Sequence, residues 1–376
     1  MEQWKECRLG DILNFRRGYD LPKTKMVAGY IPVAGSNGII GYHNEATPIS
    51  PCITIGRSGN IGTPYIYEHC WAHNTVLYVD NFKGNNPYYL YYLLKTLPLA
   101  SFGGGSAVPT LNRNHIHPIK VKFTPNIETQ NRIVSVLSSL DYKIESNTKI
   151  NSNLEEQAKA LFKSWFIDFE PFKGGKFVDS ELGKIPEGWE VVTIGDVTEN
   201  IKDKVGDRDN IKVLSPITSG QLVLSEDYFS KQVFSNSIAK YIVVKHNDFA
   251  YNPARINIGS IGMNEFDFDG CVSPVYVVFR CQKGYEYFFD LYRKTTFFTE
   301  EVKKRAIGGV RQTLSYKDLS LIQLVYPPKK VVENFNSIFI SLLHTIHSNN
   351  VSNKKLEAIR DTLLPRLMSG EINVRL

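Results

Sequence analysis

The sequence predicts an α+β fold: two globular domains, each followed by a long helix, the two helices pairing as an antiparallel coiled coil with pseudo-two-fold symmetry. Three observations carry that expectation. The chain has 376 residues, 42% of them hydrophobic and 22% charged, enough for two or three well-buried domains. It repeats itself, and each repeat closes on a heptad seam.

The repeat is anchored in three places. Trp4 to Ile12 (WKECRLGDI) returns as Trp189 to Val197 (WEVVTIGDV), 185 residues on. A glycine-rich stretch running into Thr110-Leu111-Asn112 is echoed by Gly308-Gly309 leading into Thr313-Leu314-Ser315, at an offset of 203, and Leu154-Glu155 returns as Leu356-Glu357 at 202. The offset grows inside the globular part and then holds, so the copies differ most between Ile12 and Gly103. Each copy places Gly-Asp near its start. Short β-rich runs follow, such as Ile53-Thr54-Ile55 and Tyr241-Ile242-Val243-Val244, broken by Gly, Asn and Pro, and then one long helix. The expected organisation is a first globule over 1–125, its helix over 126–169, a proline- and glycine-rich linker over 170–188, a second globule over 189–328, its helix over 329–370 and a tail over 371–376.

In the first helix, Ile133, Leu137, Leu140, Ile144, Asn147, Asn151, Leu154, Ala158, Leu161 and Trp165 alternate in steps of four and three, as a coiled-coil seam does. The second repeats it with Phe335, Phe339, Leu342, Ile346, Asn349, Asn353, Leu356, Arg360, Leu363 and Leu367, where Arg360 is the one charged residue. An antiparallel pairing sets Asn147 against Asn353 and Asn151 against Asn349. Asparagine in a seam costs stability but penalises slippage, so these four fix register; the alternative is that they lie on a solvated stretch of helix. From Ile133 to Trp165 the seam extends roughly 48 Å at about 1.5 Å per residue, or about 14 base pairs of duplex. Such a strut suits a target with two unlike halves and a fixed gap.

Composition excludes several classes. The net charge of +6 allows a nucleic-acid partner without demanding one. Cys7, Cys52, Cys70, Cys271 and Cys281 form no Cys-x-x-Cys pair, the start lacks the apolar core of a signal peptide, and no apolar run approaches the roughly 20 residues of a membrane span. A reducing cytoplasm is the expected location, with no membrane partner. A Gly-x-x-x-x-Gly-Lys-Ser/Thr phosphate cradle is absent. Asn86-Pro87-Tyr88 and Asn252-Pro253-Ala254 only approach the Asn-Pro-Pro-aromatic signature that holds a flipped adenine. His69, Cys70, His73 and Cys52 match no standard zinc spacing. His344 and His347 read as a solvated helix face. No catalytic residue and no metal ligand is expected, nor a cofactor bound by this chain.

DNA reading needs Lys and Arg for phosphates and Arg, Asn, Gln or Ser for base edges. Both copies offer these in glycine-rich turns. The first has Arg57, Ser58 and Asn60 within Gly56 to Gly62; the second has Arg255, Asn257 and Ser260 before Gly262. Lys303, Lys304, Arg305, Arg311 and Gln312 crowd around Gly308-Gly309, matched by Ser106, Asn112, Arg113 and His115 in the first copy. Asn37, in the stretch Gly35 to Asn44, joins the DNA-facing candidates. A solvated charged face is the plainer alternative for any one of them.

GSNGIIGYHN (Gly35 to Asn44), LFKSWFIDFEPF (Leu161 to Phe172), SELGKIPEGWE (Ser180 to Glu190) and LLPRLMSGEINV (Leu363 to Val374), with the two-copy layout, resemble the specificity subunits of type I restriction-modification systems. The resemblance implies that each globule is a target-recognition domain reading one half-site of double-stranded DNA. It implies that the helices space these domains and dock two methyltransferase subunits, with restriction subunits joining the complex. Chemistry then belongs to the partners: adenine methylation from S-adenosylmethionine, and ATP- and Mg-dependent translocation and cutting. Phe162, Trp165 and Phe166, with Leu364 and Met368, give more apolar surface than a two-helix seam covers. They are candidates for partner docking, the alternative being that each helix rests on its own globule. Two other readings are a stand-alone DNA-modifying enzyme with a diverged site and a coiled-coil scaffold without DNA reading.

Overall fold

The computed structural model describes residues 4–104, 109–306 and 313–374, and in both repeats the Gly-Asp motif opens a four-residue helix, Leu9–Ile12 and Ile194–Val197. The Asp11 carboxylate accepts the Arg8 N–H at 3.0 Å and Asp196 accepts the Thr193 N–H at 2.8 Å, closing donors that a helix start leaves open. The glycine lies against the turn that leads into a second strand. Gly10 N–H donates to the His117 carbonyl and Gly195 N–H to that of Ser320, both at 2.9 Å. A Cβ on either would stand 3.0 Å from the Cβ of His117 or Ser320. One residue earlier, Leu9 N–H reaches the Ile119 carbonyl and Ile194 N–H that of Ile322, both at 2.8 Å. The repeat read from the sequence is therefore a repeat of individual hydrogen bonds.

Contacts divide the chain into two units: residues up to Ile150 together with those from Ser348 onward, and Asn151–His347. We call them the first and second domains. These units cut across the boundaries expected from the sequence, because each takes part of both long helices, Ile127–Phe166 and Lys329–Met368, of 40 residues each.

In the first domain a ribbon of Lys5–Arg8 with Lys120–Phe123 frames an antiparallel four-stranded sheet ordered Asn14–Arg17, Val76–Asn81, Cys52–Gly56, Pro64–Tyr67. A smaller sheet joins the hairpin Ile31–Gly35/Gly38–His43 to Trp71–Ala72. The helix Pro87–Lys95 covers the larger sheet, and Phe15, Ile53, Ile55, Tyr89 and Leu90 form its core. Ile133 and Leu137 of the first long helix share that core with Leu364, Leu367 and Met368 of the second. Asn147 Nδ2 donates to Asn353 Oδ1 at 2.8 Å, and Arg360 Nη1 to Asp141 Oδ1 at 2.9 Å. Rising numbers on one helix thus meet falling numbers on the other, so the helices run antiparallel. Arg360, the charged exception in its seam, is satisfied by Asp141, which also accepts the Tyr92 hydroxyl at 2.6 Å.

The second domain repeats the plan with Glu190–Thr193 paired to Gln323–Tyr326. One four-stranded sheet is ordered Thr198–Ile201, Val277–Cys281, Phe249–Tyr251, Ile261–Met263, and another Leu222–Leu224, Lys212–Pro216, Gly270–Val272, Ile242–Val244. Here the helices meet through aromatic rings: Phe166 and Phe162 lie 4.9 and 6.1 Å from Phe335, and Phe339 stacks on Phe335. The stretch expected as a linker is structured. Phe177–Ser180 pairs with Gly183–Pro186, and Phe169 and Phe172 pack on Trp189 at 5.3 and 5.1 Å. Four-residue strands are too short to show periodicity, and Gly183, at φ +99°, supplies a turn that its composition suggests only as a break.

Candidate nucleic-acid interface

The glycine-rich turn of the first domain is pinned on two sides. Arg57 and Ser58 N–H groups both donate to the Thr75 carbonyl, Gly59 N–H to that of Pro109, and Leu111 N–H to that of Arg57. Gly62, at φ +80°, lies where a Cβ would stand 2.5 Å from the Ala100 nitrogen, so only glycine lets the turn close. Asn60 is exposed, and Arg57 is half-buried with its guanidinium directed at the Asn74 carbonyl at 3.4 Å. The exposed Asn37 sits at the tip of the hairpin beside this turn, since the neighbouring Ser36 Oγ comes within 3.8 Å of the Cβ position of Gly59. Asn112 and Arg113 follow Leu111, whose N–H donates to the Arg57 carbonyl. Asn112 also caps a short helix, its side-chain oxygen accepting the Asn114 N–H at 2.9 Å, and Arg113 reaches the Phe15 carbonyl at 3.4 Å. The structure thus brings Asn37, Arg57, Ser58 and Asn60 together, with Asn74 beside Arg57 and Asn112 next after the Leu111 that bonds to Arg57, whereas Arg113 is directed at Phe15. Ser106 lies outside the described residues.

In the second domain the turn is built differently. Leu314 N–H donates to the Pro253 carbonyl, the counterpart of the Leu111 bond to Arg57, so Pro253 and not Arg255 occupies the place of Arg57. Arg255 is exposed two residues on, and Asn257 is half-buried. Ser260 is a correction: it is 1% exposed and its hydroxyl donates to the Pro216 carbonyl at 2.7 Å, so it ties two strands together instead of facing DNA. The helix Thr296–Arg305 packs on the turn and carries the basic run. Lys303 is exposed, whereas Lys304 and Arg305 both pair with Glu301. The Glu301 carboxylate one turn back offsets part of the positive charge that the run promised. Arg311 and Gln312 lie outside the described residues.

One residue that positions a turn escaped the sequence reading. Arg293 is 6% exposed and donates to the carbonyls of Ile261 and Gly220, each at 2.9 Å, and to Asp290. It clamps the turn Ile217–Gln221, which sits against Gly259 as the Asn37 turn sits against Gly59. Burial pushes the Asp290 carboxyl up, but Arg293 and Lys294 outweigh it and hold the group below its ordinary value. The available signal was an Asp and an Arg three apart in an otherwise aromatic helix, since such a pair is buried only when matched.

The apolar candidates for docking are also corrected. Phe162 and Phe166 are buried in the core of the second domain, with Trp165 against it, and Leu364 and Met368 in that of the first. The globules themselves cover this surface. The apolar side chains exposed on the long helices are others: Ile127, Tyr142, Ile150, Ile338, Ile340, Val351 and Ile359. Asn86 and Asn252 prove to be a helix cap and a turn residue, each side-chain oxygen accepting the N–H two residues on. No described helix is long and apolar enough to cross a membrane.

Comparison with known proteins agrees with this geometry. The family model described as type I restriction modification DNA specificity domain matches residues 1–156. The chain is 30% identical over 301 residues to the type I restriction enzyme MjaIX specificity subunit of Methanocaldococcus jannaschii, covering 76% of this chain and 69% of that one. It is 26% identical over 324 residues to the HindI specificity subunit of Haemophilus influenzae, covering 66% and 68%. A solved S subunit of a type I restriction-modification system from M. genitalium shares the fold, with a TM-score of 0.65 at 13% identity over 97% of this chain and 96% of that one.

Proposed function

The chain belongs to the specificity subunits of type I restriction enzymes, and from that premise we propose that it reads a bipartite, asymmetric DNA target with its two domains, one half-site each. The observation that carries the reading is the duplicated frame: the same pair of backbone hydrogen bonds fixes Gly10 and Gly195, while the turns projecting from it carry different side chains. A shared frame with unlike tips is what two unlike half-sites require. The continuous antiparallel helices act as the ruler, and the Asn147–Asn353 bond supports a single register.

Two methyltransferase subunits dock on the outward faces of these helices, where Tyr142, Ile150, Val351 and Ile359 supply apolar anchors in place of the buried phenylalanines. Restriction subunits join through them. The methylated base is adenine, and S-adenosylmethionine, ATP and Mg are held by the partners. The complex works in the cytoplasm.

Mapping methylated adenines in DNA from cells expressing this chain with its methyltransferase tests the reading. Two different half-sites with a constant gap are expected; a contiguous or palindromic motif overturns it. Deleting one heptad from each helix shortens the gap, and an unchanged motif in that variant refutes the ruler. Tyr142→Asp with Ile359→Asp abolishes co-purification of the methyltransferase, and undiminished recovery rejects the docking faces.

A further inference from the structure

We propose that Cys52 and Cys70 form a reversible disulfide site that staples together the two sheets of the first domain. Both side chains are wholly buried, and their sulfur atoms stand 2.7 Å apart. A disulfide of about 2.05 Å needs only a small further approach. The backbone holds the pair in place: Thr47 N–H donates to the Cys70 carbonyl at 2.8 Å, and Thr47 Oγ1 accepts the Ala72 N–H at 2.8 Å.

The position gives the link a role. Cys52 opens the strand Cys52–Gly56, which runs directly into the turn bearing Arg57, Ser58 and Asn60. Cys70 precedes Trp71–Ala72, which pairs in parallel with Ile31–Gly35, one arm of the hairpin that carries Asn37. A bond between them ties together the two sheets from which the DNA-facing turns project. The cluster around the sulfurs is small, made of Ala34, Ala72, Val76 and Tyr78 apart from the main core, and a small core gains most from a covalent link. In the second domain Cys271 and Cys281 are both buried but sit on different sheets, and the described residues record no sulfur contact between them.

The hydrogen bond to Cys52, together with burial, holds the Cys70 thiol protonated, so it reacts through transient opening of the domain. A peroxide supplies the oxidant. One thiol sulfur takes an oxygen from hydrogen peroxide, giving a sulfenic acid and one water; the second sulfur then displaces that hydroxyl as another water, its own proton leaving with it. Two thiols and one peroxide become one disulfide and two waters, the electron pair passing to the peroxide oxygens. Small thiols reverse the step by exchange.

The test is made on the full chain, treated with graded hydrogen peroxide, quenched with catalase, denatured in excess N-ethylmaleimide and digested for mass spectrometry. A peptide joining Cys52 to Cys70 is expected, two hydrogens lighter than its parts and lost on reduction, with an upward shift in the melting temperature of wild type and none in Cys52→Ser. The wild-type comparison, oxidised against re-reduced, stands by itself if Cys52→Ser fails to fold. Absence of that peptide at every peroxide concentration up to one that modifies the half-buried Cys7 overturns the proposal. So does a link that forms only in denaturant.

Discussion

The two domains share a frame and differ in how they hold their working turns. Among the described residues the buried Asp and Arg side chains, Asp248, Asp290 and Arg293, all lie in the second domain, where Arg293 anchors a polar tip of Thr218, Ser219 and Gln221. The first domain fixes its tip by close packing, with Gly62 against Ala100, Gly35 under Ile40 and two sulfurs in contact, and its hairpin exposes Ile39, Ile40 and Tyr42. Electrostatic clamping tolerates small polar residues at the tip because the clamp lies behind them. Both tips still need glycine where backbones meet, at Gly62 in the first domain and at Gly259 in the second. Duplicated domains can therefore diverge in what they read without disturbing the ribbon that carries them.

The largest expected effect breaks the comparison at its electrostatic side. Arg293→Met removes the donor from one strand carbonyl, one turn carbonyl and a buried carboxylate, which costs about 3–5 kcal/mol. Hydrogen exchange should show the loss in peptides of the second domain alone, and an equal loss in both domains would contradict the contrast. Next, Gly10→Ala and Gly195→Ala each force a methyl against the facing Cβ, costing about 1–3 kcal/mol. Urea unfolding of the two variants should give similar values, since the frame is common, and a large disparity would show that it is not.

Arg255→Ala leaves stability within about 0.5 kcal/mol, as expected for an exposed side chain. In a salt series it weakens DNA binding by the assembled methyltransferase by about 1–3 kcal/mol if the arginine reads a guanine, or lowers the salt slope by about one if it holds a phosphate. Unchanged binding removes this turn from the interface. Arg57→Ala should differ by destabilising as well, because its guanidinium is half-buried against Asn74. The smallest effect is on acid stability. With the Asp290 carboxyl held low in the folded chain, its stabilisation is full above the unfolded value of about 3.9 and fades as pH falls through the lower folded one. Asp290→Asn should flatten that part of the second domain's stability curve, measured by denaturation from pH 6 down; an unaltered slope would deny the clamp its charge.

Much of this architecture was legible because it repeats. Trp-x-x-x-x-x-Gly-Asp, the heptads and the seam asparagines each occur twice, and chance does not place two asparagines at matching seam positions. The helices' true cover was not legible. Phe162, Phe166, Leu364 and Met368 look like unpaired surface when a helix is counted against one partner, and only the folded globule shows what lies over them. The basic run at Lys303 misled for a related reason, since Glu301 precedes it by one helical turn and periodicity, not adjacency, decides which charges meet. Ser260 and Arg293 were not legible because their burial depends on contacts with Pro216 and Gly220, tens of residues away.

The first domain is assembled from residues on both sides of the second: Gly370 lies against Trp4, and Arg132 donates to the Val374 carbonyl at 3.4 Å. During synthesis on the ribosome its opening segments emerge early, yet the helix that completes them is translated after the whole of the intervening domain. A message cut short before residue 348 would lack Leu364, Leu367 and Met368 and leave the first domain's core unfinished.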